Sequence, residues 1–319
     1  MINTIKNNDF NISYKTKGSG NDVLFLHGFP SNMFMWDEIS EDLVKNNFRV
    51  TSIEQRGYPL SSKQKMKISD FTIDKLAIDI ETLINSLDLS NNLTIVSHDW
   101  GTVVGWAVLK RKLVSVENYI GICGGTLFPS HKVYKNLNYY DGEHYITSFQ
   151  QPLESANLLD RDIKNSILGA YRIKNTHSNV SLSIKSLFND TNHIEYAISQ
   201  VELENLVNNY KKTGFYGPIS WYANLDENIK ISEQWGNNEL TQNILFMFGE
   251  KDMAVKLTEN MRQRLNKVAD VVKIKEISGA GHWLPYTHKE SVLDEIYSCL
   301  LYTSPSPRDA TLSRMPSSA

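Results

Sequence analysis

Five residues between an apolar run and a helical stretch offer the clearest chemistry: Ser97-His98-Asp99-Trp100-Gly101. The pattern has the form of a nucleophile elbow, with Asp99 in the central slot and Ser97 and Gly101 on the small flanking positions. Small residues are needed because the turn is tight. The turn lifts the central side chain above the sheet, at a helix N-terminus. A carboxylate in that slot suits attack on saturated carbon. An unperturbed Asp has a pKa of about 3.9 and is ionised near neutral pH. The ester it forms can be cleaved by water, whereas a serine would leave an ether. An Asp ahead of a helix is also a common N-cap, so its partners decide the matter. Two follow in the order nucleophile, acid, histidine. Gly249-Glu250-Lys251-Asp252 comes after the apolar run Ile244 to Phe248, and Gly279-Ala280-Gly281-His282-Trp283 after Val271 to Ile277. Alone, Asp252 reads as an Asx turn and His282 as a loop histidine. Three polar residues, each just past its own strand, read together as a catalytic set of Asp99, Asp252 and His282. His27-Gly28-Phe29-Pro30, after Val23 to Leu26, supplies the last part. The backbone N–H groups of Phe29 and Trp100 are expected to form an oxyanion hole, with Pro30 fixing the loop. His27 is expected to be structural, His98 to shape the elbow, and Cys123 to be a small core residue.

These residues need strands to carry them to one edge. Val23–Leu26, Val50–Ile53, Leu93–Val96, Val116–Ile122, Ile244–Phe248 and Val271–Ile277 read as strands. Between them, 36–46, 71–87, 101–112 and 258–268 carry helical spacing; Ile73, Leu76, Ile80, Leu83, Ile84 and Leu87 form one stripe. Strands alternating with helices, several apolar on both faces, predict a parallel sheet covered on both sides. From 129 to 235 the chain is rich in Tyr, Asn and Leu, with helical patterns over 153–168 and 202–212 and no convincing strand. It reads as an all-helical cap, inserted after strand six, over the edge where open α/β sheets bind ligands. Residues 1–128 and 236–298 are then the core. Leu153, Leu159, Ile163 and Leu168 read as the cap's own core rather than as pocket wall.

The chain has 319 residues, 41% hydrophobic and 22% charged, with a net charge of −3 and a pI near 6.3. This is globular composition, so disorder, collagen and coiled coil are excluded. No basic field is present to hold nucleic acid or an anionic membrane. The longest apolar stretch, Val103 to Leu109, is far below the roughly 18 residues that cross a bilayer. The N-terminus lacks the apolar core of a signal peptide. The two cysteines, Cys123 and Cys299, give neither a disulfide framework nor metal-site spacing. A cytoplasmic protein, monomer or homodimer, is the expectation. The tail from Cys299 to Ala319 differs from the rest in its Pro, Ser and Arg. Its CLLYTSPSPRD and SRMPSSA resemble a translated transposase-type sequencing adapter and the primer that follows it. It is expected to be non-native and without function.

With these motifs assembled, the chain from about residue 10 to 298 resembles an α/β-hydrolase of the epoxide hydrolase family, similar to the hydrolase domain of soluble epoxide hydrolases. HGFP, HDWG, GEKD and GHW recur across α/β-hydrolases. The cap discriminates further. Tyr145 in His144-Tyr145-Ile146-Thr147-Ser148-Phe149-Gln150-Gln151-Pro152, and Tyr222 in Lys212-Thr213-Gly214-Phe215-Tyr216-Gly217-Pro218-Ile219-Ser220-Trp221-Tyr222, resemble the stretches that hold the family's paired cap tyrosines. The departures are Ser97, where the family usually has Gly, and Gly57-Tyr58-Pro59, where it has Gly-Tyr-Gly. The second is expected to reshape the pocket floor.

The resemblance implies a reaction. Asp99 opens a small hydrophobic epoxide, Tyr145 and Tyr222 donate to the departing oxygen, and His282, held by Asp252, activates water against the ester to give a vicinal diol. No metal or cofactor is called for. Two alternatives stand beside it. A haloalkane dehalogenase shares Asp99, Asp252 and His282 and would use Trp100 for halide, but it needs no paired tyrosines. A non-catalytic scaffold could bind small hydrophobic ligands in the same pocket, but such scaffolds usually lose a member of the set.

Overall fold

The computed structural model describes residues 1–302 except 8–9, 62–65, 90–91, 140, 174–180, 189–194, 237–239 and 270–271. In chain order the strands are β1 (Asn3–Asn7), β2 (Phe10–Gly18), β3 (Asn21–Leu26), β4 (Phe48–Glu54), β5 (Thr94–His98), β6 (Asn118–Ile122), β7 (Asn138–Tyr139), β8 (Gly142–Glu143), β9 (Asn243–Gly249) and β10 (Val272–Ile277). Eight of them form one sheet in the order β1-β2-β4-β3-β5-β6-β9-β10. Pairing is parallel from β4 through β10, and β2 runs antiparallel to both of its neighbours.

Alternation explains why the central strands are apolar throughout. Leu24 and Leu26 of β3, Ile95 of β5, Tyr119 of β6 and Phe246 and Phe248 of β9 pack into one core layer. Val23, Phe25, Val96, Ile120, Leu245 and Met247, from the same strands, pack into the other. Helices α2 (Ile73–Ser86) and α3 (Trp100–Arg111) supply Leu76, Ile80, Val103 and Val104 to the first layer. Helix α1 (Asp37–Lys45) and the helix Lys289–Tyr302 supply Ile39, Leu43, Val292 and Ile296 to the second. Every expected core strand and helix is present. Strands β1 and β2 are additions that the sequence reading did not contain.

After β6 the chain leaves the sheet until β9. The intervening segment includes the helices Tyr145–Ser148, Pro152–Leu159, Ile163–Ala170, Gln200–Thr213, Tyr216–Ser220 and Leu225–Glu233. It is not all-helical, because β7 and β8 pair as a short antiparallel hairpin. The single helix expected over 153–168 is also divided, by a 3-10 turn at Asp160–Asp162. Its acids explain the division: Asp162 caps the next helix through Asn165 N, and Asp160 accepts from Phe215 N at 3.0 Å. The final helix runs past Ser298, with Leu300 buried, so the adapter-like stretch begins inside an ordered turn. The remainder of that stretch lies outside the described residues.

Candidate active site

Strand β5 delivers Asp99 and α3 starts directly after it. Asp99 has φ 52° and ψ −121°, a left-handed conformation rare for a side-chain-bearing residue. The turn is held from both sides. Asp99 N donates to Ile122 O at 3.0 Å and Thr102 N to Asp99 O at 2.9 Å. Close approach dictates two glycines. A Cβ on Gly101 would strike the carbonyls of Leu26 and His27, and one on Gly28 would strike the Asp99 side chain. Ser97 fits in place of a glycine because its hydroxyl bonds Ile120 O at 3.0 Å and the Tyr119 hydroxyl at 3.1 Å.

Around the Asp99 carboxylate the expected partners converge. Phe29 N donates to Asp99 Oδ1 at 2.7 Å, and Trp100 N also bonds the carboxylate. His282 Nε2 stands 3.8 Å from Asp99 Oδ2. Its Nδ1–H donates to Asp252 Oδ2 at 2.9 Å. The other oxygen of Asp252 accepts from Ala254 N at 2.8 Å and Val255 N at 2.9 Å, so an Asx-type turn and the contact to His282 coexist on one side chain. Burial raises the Asp99 pKa, and His282 with the two N–H bonds opposes the rise. For His282, burial lowers the pKa, but the Asp252 carboxylate outweighs it and the net shift is upward.

Tyr145 and Tyr222 lie across the pocket, with ring centroids 5.9 Å apart and their hydroxyls in contact. Burial first, and then the Asp99 charge, hold both phenols well above their usual pKa, so they keep their protons; Tyr145 adds to the rise at Tyr222, while the hydrogen bond from Tyr222 tempers it at Tyr145. The Trp100 indole N–H lies near the Tyr222 hydroxyl and tempers its shift, though among the described residues it falls outside hydrogen-bonding geometry with any acceptor. Asp99, Tyr145, Tyr222, His282, Phe29 and Trp283 share the wall of one cavity of about 200 Å³. The segment between β6 and β9 contributes apolar Leu182, Leu187 and Phe188 to this wall, along with Arg172 and the two tyrosines. Lys251 and His288 lie on the opposite side, from the core.

Other expectations divide. His27 is structural: it is fully buried, and its Nε2 accepts from Gln55 N at 3.1 Å. His98 donates from Nε2 to His282 O at 2.9 Å, bracing the histidine loop rather than the elbow alone. Cys123 is a buried core residue. Gly57, Tyr58 and Pro59 do not line the cavity, so the expected reshaping of the pocket floor does not occur; Tyr58 instead packs edge-on against Trp221 and His27. Leu159 is buried among the cap's own residues, while Leu153 is exposed.

Sequence reasoning missed two supporting residues. Glu54 is fully buried; it accepts from Met33 N at 3.0 Å and Leu60 N at 3.3 Å, which pins the segment after the Phe29 loop. Burial pushes its pKa up to about 7. Its signal was an acid at the end of an apolar strand. Trp283, read only as part of the histidine motif, stacks on Tyr171 of the cap at 3.8 Å and donates its indole N–H to Ala170 O at 2.8 Å.

No helix among the described residues is long and apolar enough to cross a membrane. The family model for the alpha/beta hydrolase fold matches residues 22–289. Among curated proteins, the chain is 26% identical over 279 residues to bifunctional epoxide hydrolase 2 of Sus scrofa, covering 83% of this chain and 49% of that protein. It is 27% identical over 305 residues to epoxide hydrolase 3 of Mus musculus, covering 93% of this chain and 75% of that one. The chain thus spans about half the length of the bifunctional relatives that it matches. Among solved structures, epoxide hydrolase A from Mycobacterium thermoresistibile superposes with a TM-score of 0.80 at 22% identity, over 94% of this chain and 98% of that one. A Vigna radiata epoxide hydrolase gives 0.80 at 24% identity, over 95% and 98%. Sheet order, elbow and matched span agree, and the chain belongs to the α/β-hydrolase fold family.

Proposed function

We propose that this hydrolase opens an epoxide to a vicinal diol through a covalent ester on Asp99. The observation that carries the reading is the pair of buried, protonated phenols, Tyr145 and Tyr222, lining the same cavity as Asp99. Relatives named as epoxide hydrolases support it.

In the first step an Asp99 oxygen attacks one epoxide carbon and the C–O bond breaks. The departing oxygen takes a proton or hydrogen bond from the phenols, contributing about 10²–10⁴-fold. In the second step neutral His282 accepts a proton from water, the hydroxide adds to the ester carbonyl, and the Phe29 and Trp100 N–H groups hold the oxyanion. Each such donor is worth on the order of 3 kcal/mol. The intermediate then collapses: the ester C–O bond breaks, the leaving alkoxide takes the proton from His282 to give the diol, and the Asp99 carboxylate is restored. Asp252 fixes the imidazole with Nδ1–H toward the acid, leaving Nε2 as the base. The substrate is a small apolar epoxide, in keeping with Leu182, Leu187 and Phe188 on the cap wall. The dehalogenase reading is weaker, since Trp100 does not line the cavity. The scaffold reading conflicts with an intact Asp99, Asp252 and His282 in contact order.

The test uses styrene oxide with the purified chain and two variants. The parent forms the diol, Asp99→Ala is inactive, and His282→Gln accumulates an adduct on Asp99 of the variant's mass plus that of the epoxide, read by intact-mass spectrometry. An unmodified His282→Gln protein, or halide release from a bromoalkane without diol formation, overturns the assignment.

A further inference from the structure

Behind the catalytic histidine, three side chains come together that the chain separates widely. Ligand-capable atoms of His98, Cys123 and His282 all lie within 4.8 Å of one another. His98 ends β5, Cys123 follows β6 and His282 follows β10, so the parallel sheet gathers them at one edge. This explains why no metal-site spacing is visible in the sequence.

The state of His98 gives the group its meaning. The residue is fully buried. Its Nε2–H is committed to the backbone carbonyl of His282 at 2.9 Å. Nδ1 therefore carries the lone pair, and among the described residues it has no hydrogen-bond partner. A buried acceptor without a partner is costly and rare. An imidazole oriented through one nitrogen by a carbonyl, with the other nitrogen bare, is the usual arrangement of a metal-ligating histidine. His282 is likewise oriented through one nitrogen, by Asp252. Cys123 adds a sulfur that lies beside the Asp252 carboxylate and 3.8 Å from the Gly281 carbonyl, the latter long for a hydrogen bond to sulfur.

We propose that His98, Cys123 and His282 form an inhibitory site for a zinc-class divalent cation. Two imidazoles and one thiolate suit zinc, with metal–nitrogen bonds of about 2.0–2.1 Å and a metal–sulfur bond of about 2.3 Å. Tetrahedral bonds of that length need ligand atoms about 3.5 Å apart. Closing from the present separations takes side-chain shifts of roughly an ångström. On binding, the Cys123 S–H proton leaves to bulk water, a sulfur–metal bond forms and nothing is oxidised. A water completes the fourth position. The inhibitory consequence rests on the proposed epoxide reading: a metal-bound His282 cannot accept the proton of water, so the ester forms and is not hydrolysed.

The experiment separates binding from activity. Cobalt(II) added to the intact, metal-stripped chain should give a thiolate-to-cobalt charge-transfer band at one equivalent, and zinc should abolish that band. Cys123→Ser should lose the band and weaken zinc binding, measured by calorimetry, by at least about tenfold. Cys299→Ser should keep both. Zinc should suppress diol formation by the parent, reversibly on chelation, and leave Cys123→Ser turning over at that variant's own zinc-free rate. A Cys123→Ser protein that binds metal as tightly as the parent overturns the site. A band that depends on Cys123 with undiminished diol formation overturns the inhibitory role. A band with no epoxide turnover at all leaves the site standing and counts against the epoxide reading instead.

Discussion

At Asp99 the geometry suits both halves of the proposed two-step reaction. Phe29 N already holds Oδ1 at 2.7 Å, where the ester oxygen must later carry charge, so the same donors serve the resting carboxylate and the oxyanion. The protonation of His282 then governs the second half. Its pKa stands above the usual 6.5, since Asp252 and Asp99 outweigh the burial that would lower it. Only the neutral ring accepts a proton from water. Turnover should therefore rise with pH through a midpoint above 6.5, and below it the ester should persist. The phenols, raised by burial, keep their protons beyond the usual value near 10, so no falling limb is expected before that. A kcat profile that is flat across about pH 5–8 would break this link. The phenols give a second prediction. Tyr145→Phe and Tyr222→Phe should each lower the rate of ester formation about 10²-fold without altering hydrolysis of a preformed ester, as single-turnover kinetics would resolve. Equal slowing of both steps would deny them the first.

At the scale of elements, the elbow between β5 and α3 is a strained turn kept for its chemistry. A residue with φ 52° and ψ −121° costs of order 1–3 kcal/mol when it carries a side chain. Asp99→Gly should therefore unfold at higher denaturant than the parent, by about 1 kcal/mol, while losing all turnover. Gly28→Ala, which forces a methyl onto Asp99, should lose about 1–3 kcal/mol in the same urea titration. A destabilised Asp99→Gly would show the turn to be relaxed. The elbow, the acid and the histidine were legible because each follows an apolar strand with turn residues at a fixed offset. Strands β1 and β2 were not, because their residues alternate with Asn, Lys and Thr, and they are the outermost pair of the sheet, where the apolar run is broken. The hairpin of β7 and β8 is two residues a side and leaves no periodicity to read. Tyr145 and Tyr222 illustrate the same limit. No pattern within the cap says which tyrosines meet; 77 positions separate them, and the fold alone brings their rings to 5.9 Å.

For the molecule as a whole, the cavity is walled by the sheet edge and by the segment inserted between β6 and β9, the proposed cap, and Trp283 joins the two at the residue after His282. Its indole lies flat on Tyr171 at an interplanar angle of 10°, its edge meets His282 at 5.2 Å, and its N–H reaches Ala170 O. Trp221 Nε1 to Arg56 O at 3.0 Å and Ile73 N to Asn228 Oδ1 at 2.9 Å pin the cap elsewhere, away from the histidine. Loss of the Trp283 contact should therefore loosen one side of the cap without detaching it. Trp283→Phe keeps an apolar ring but leaves the Ala170 carbonyl without its donor, at a cost of about 1–3 kcal/mol. Amide hydrogen exchange over Ile163–Ala170 should quicken by about tenfold or more, while β5 and β6 exchange as in the parent. KM for the epoxide should rise, because closure is drawn from binding energy, and the His282 midpoint should stay where Asp252 sets it. An unchanged KM, or acceleration of exchange spread equally through the sheet, would mean that the indole merely fills space and that the cap is held by its other pins.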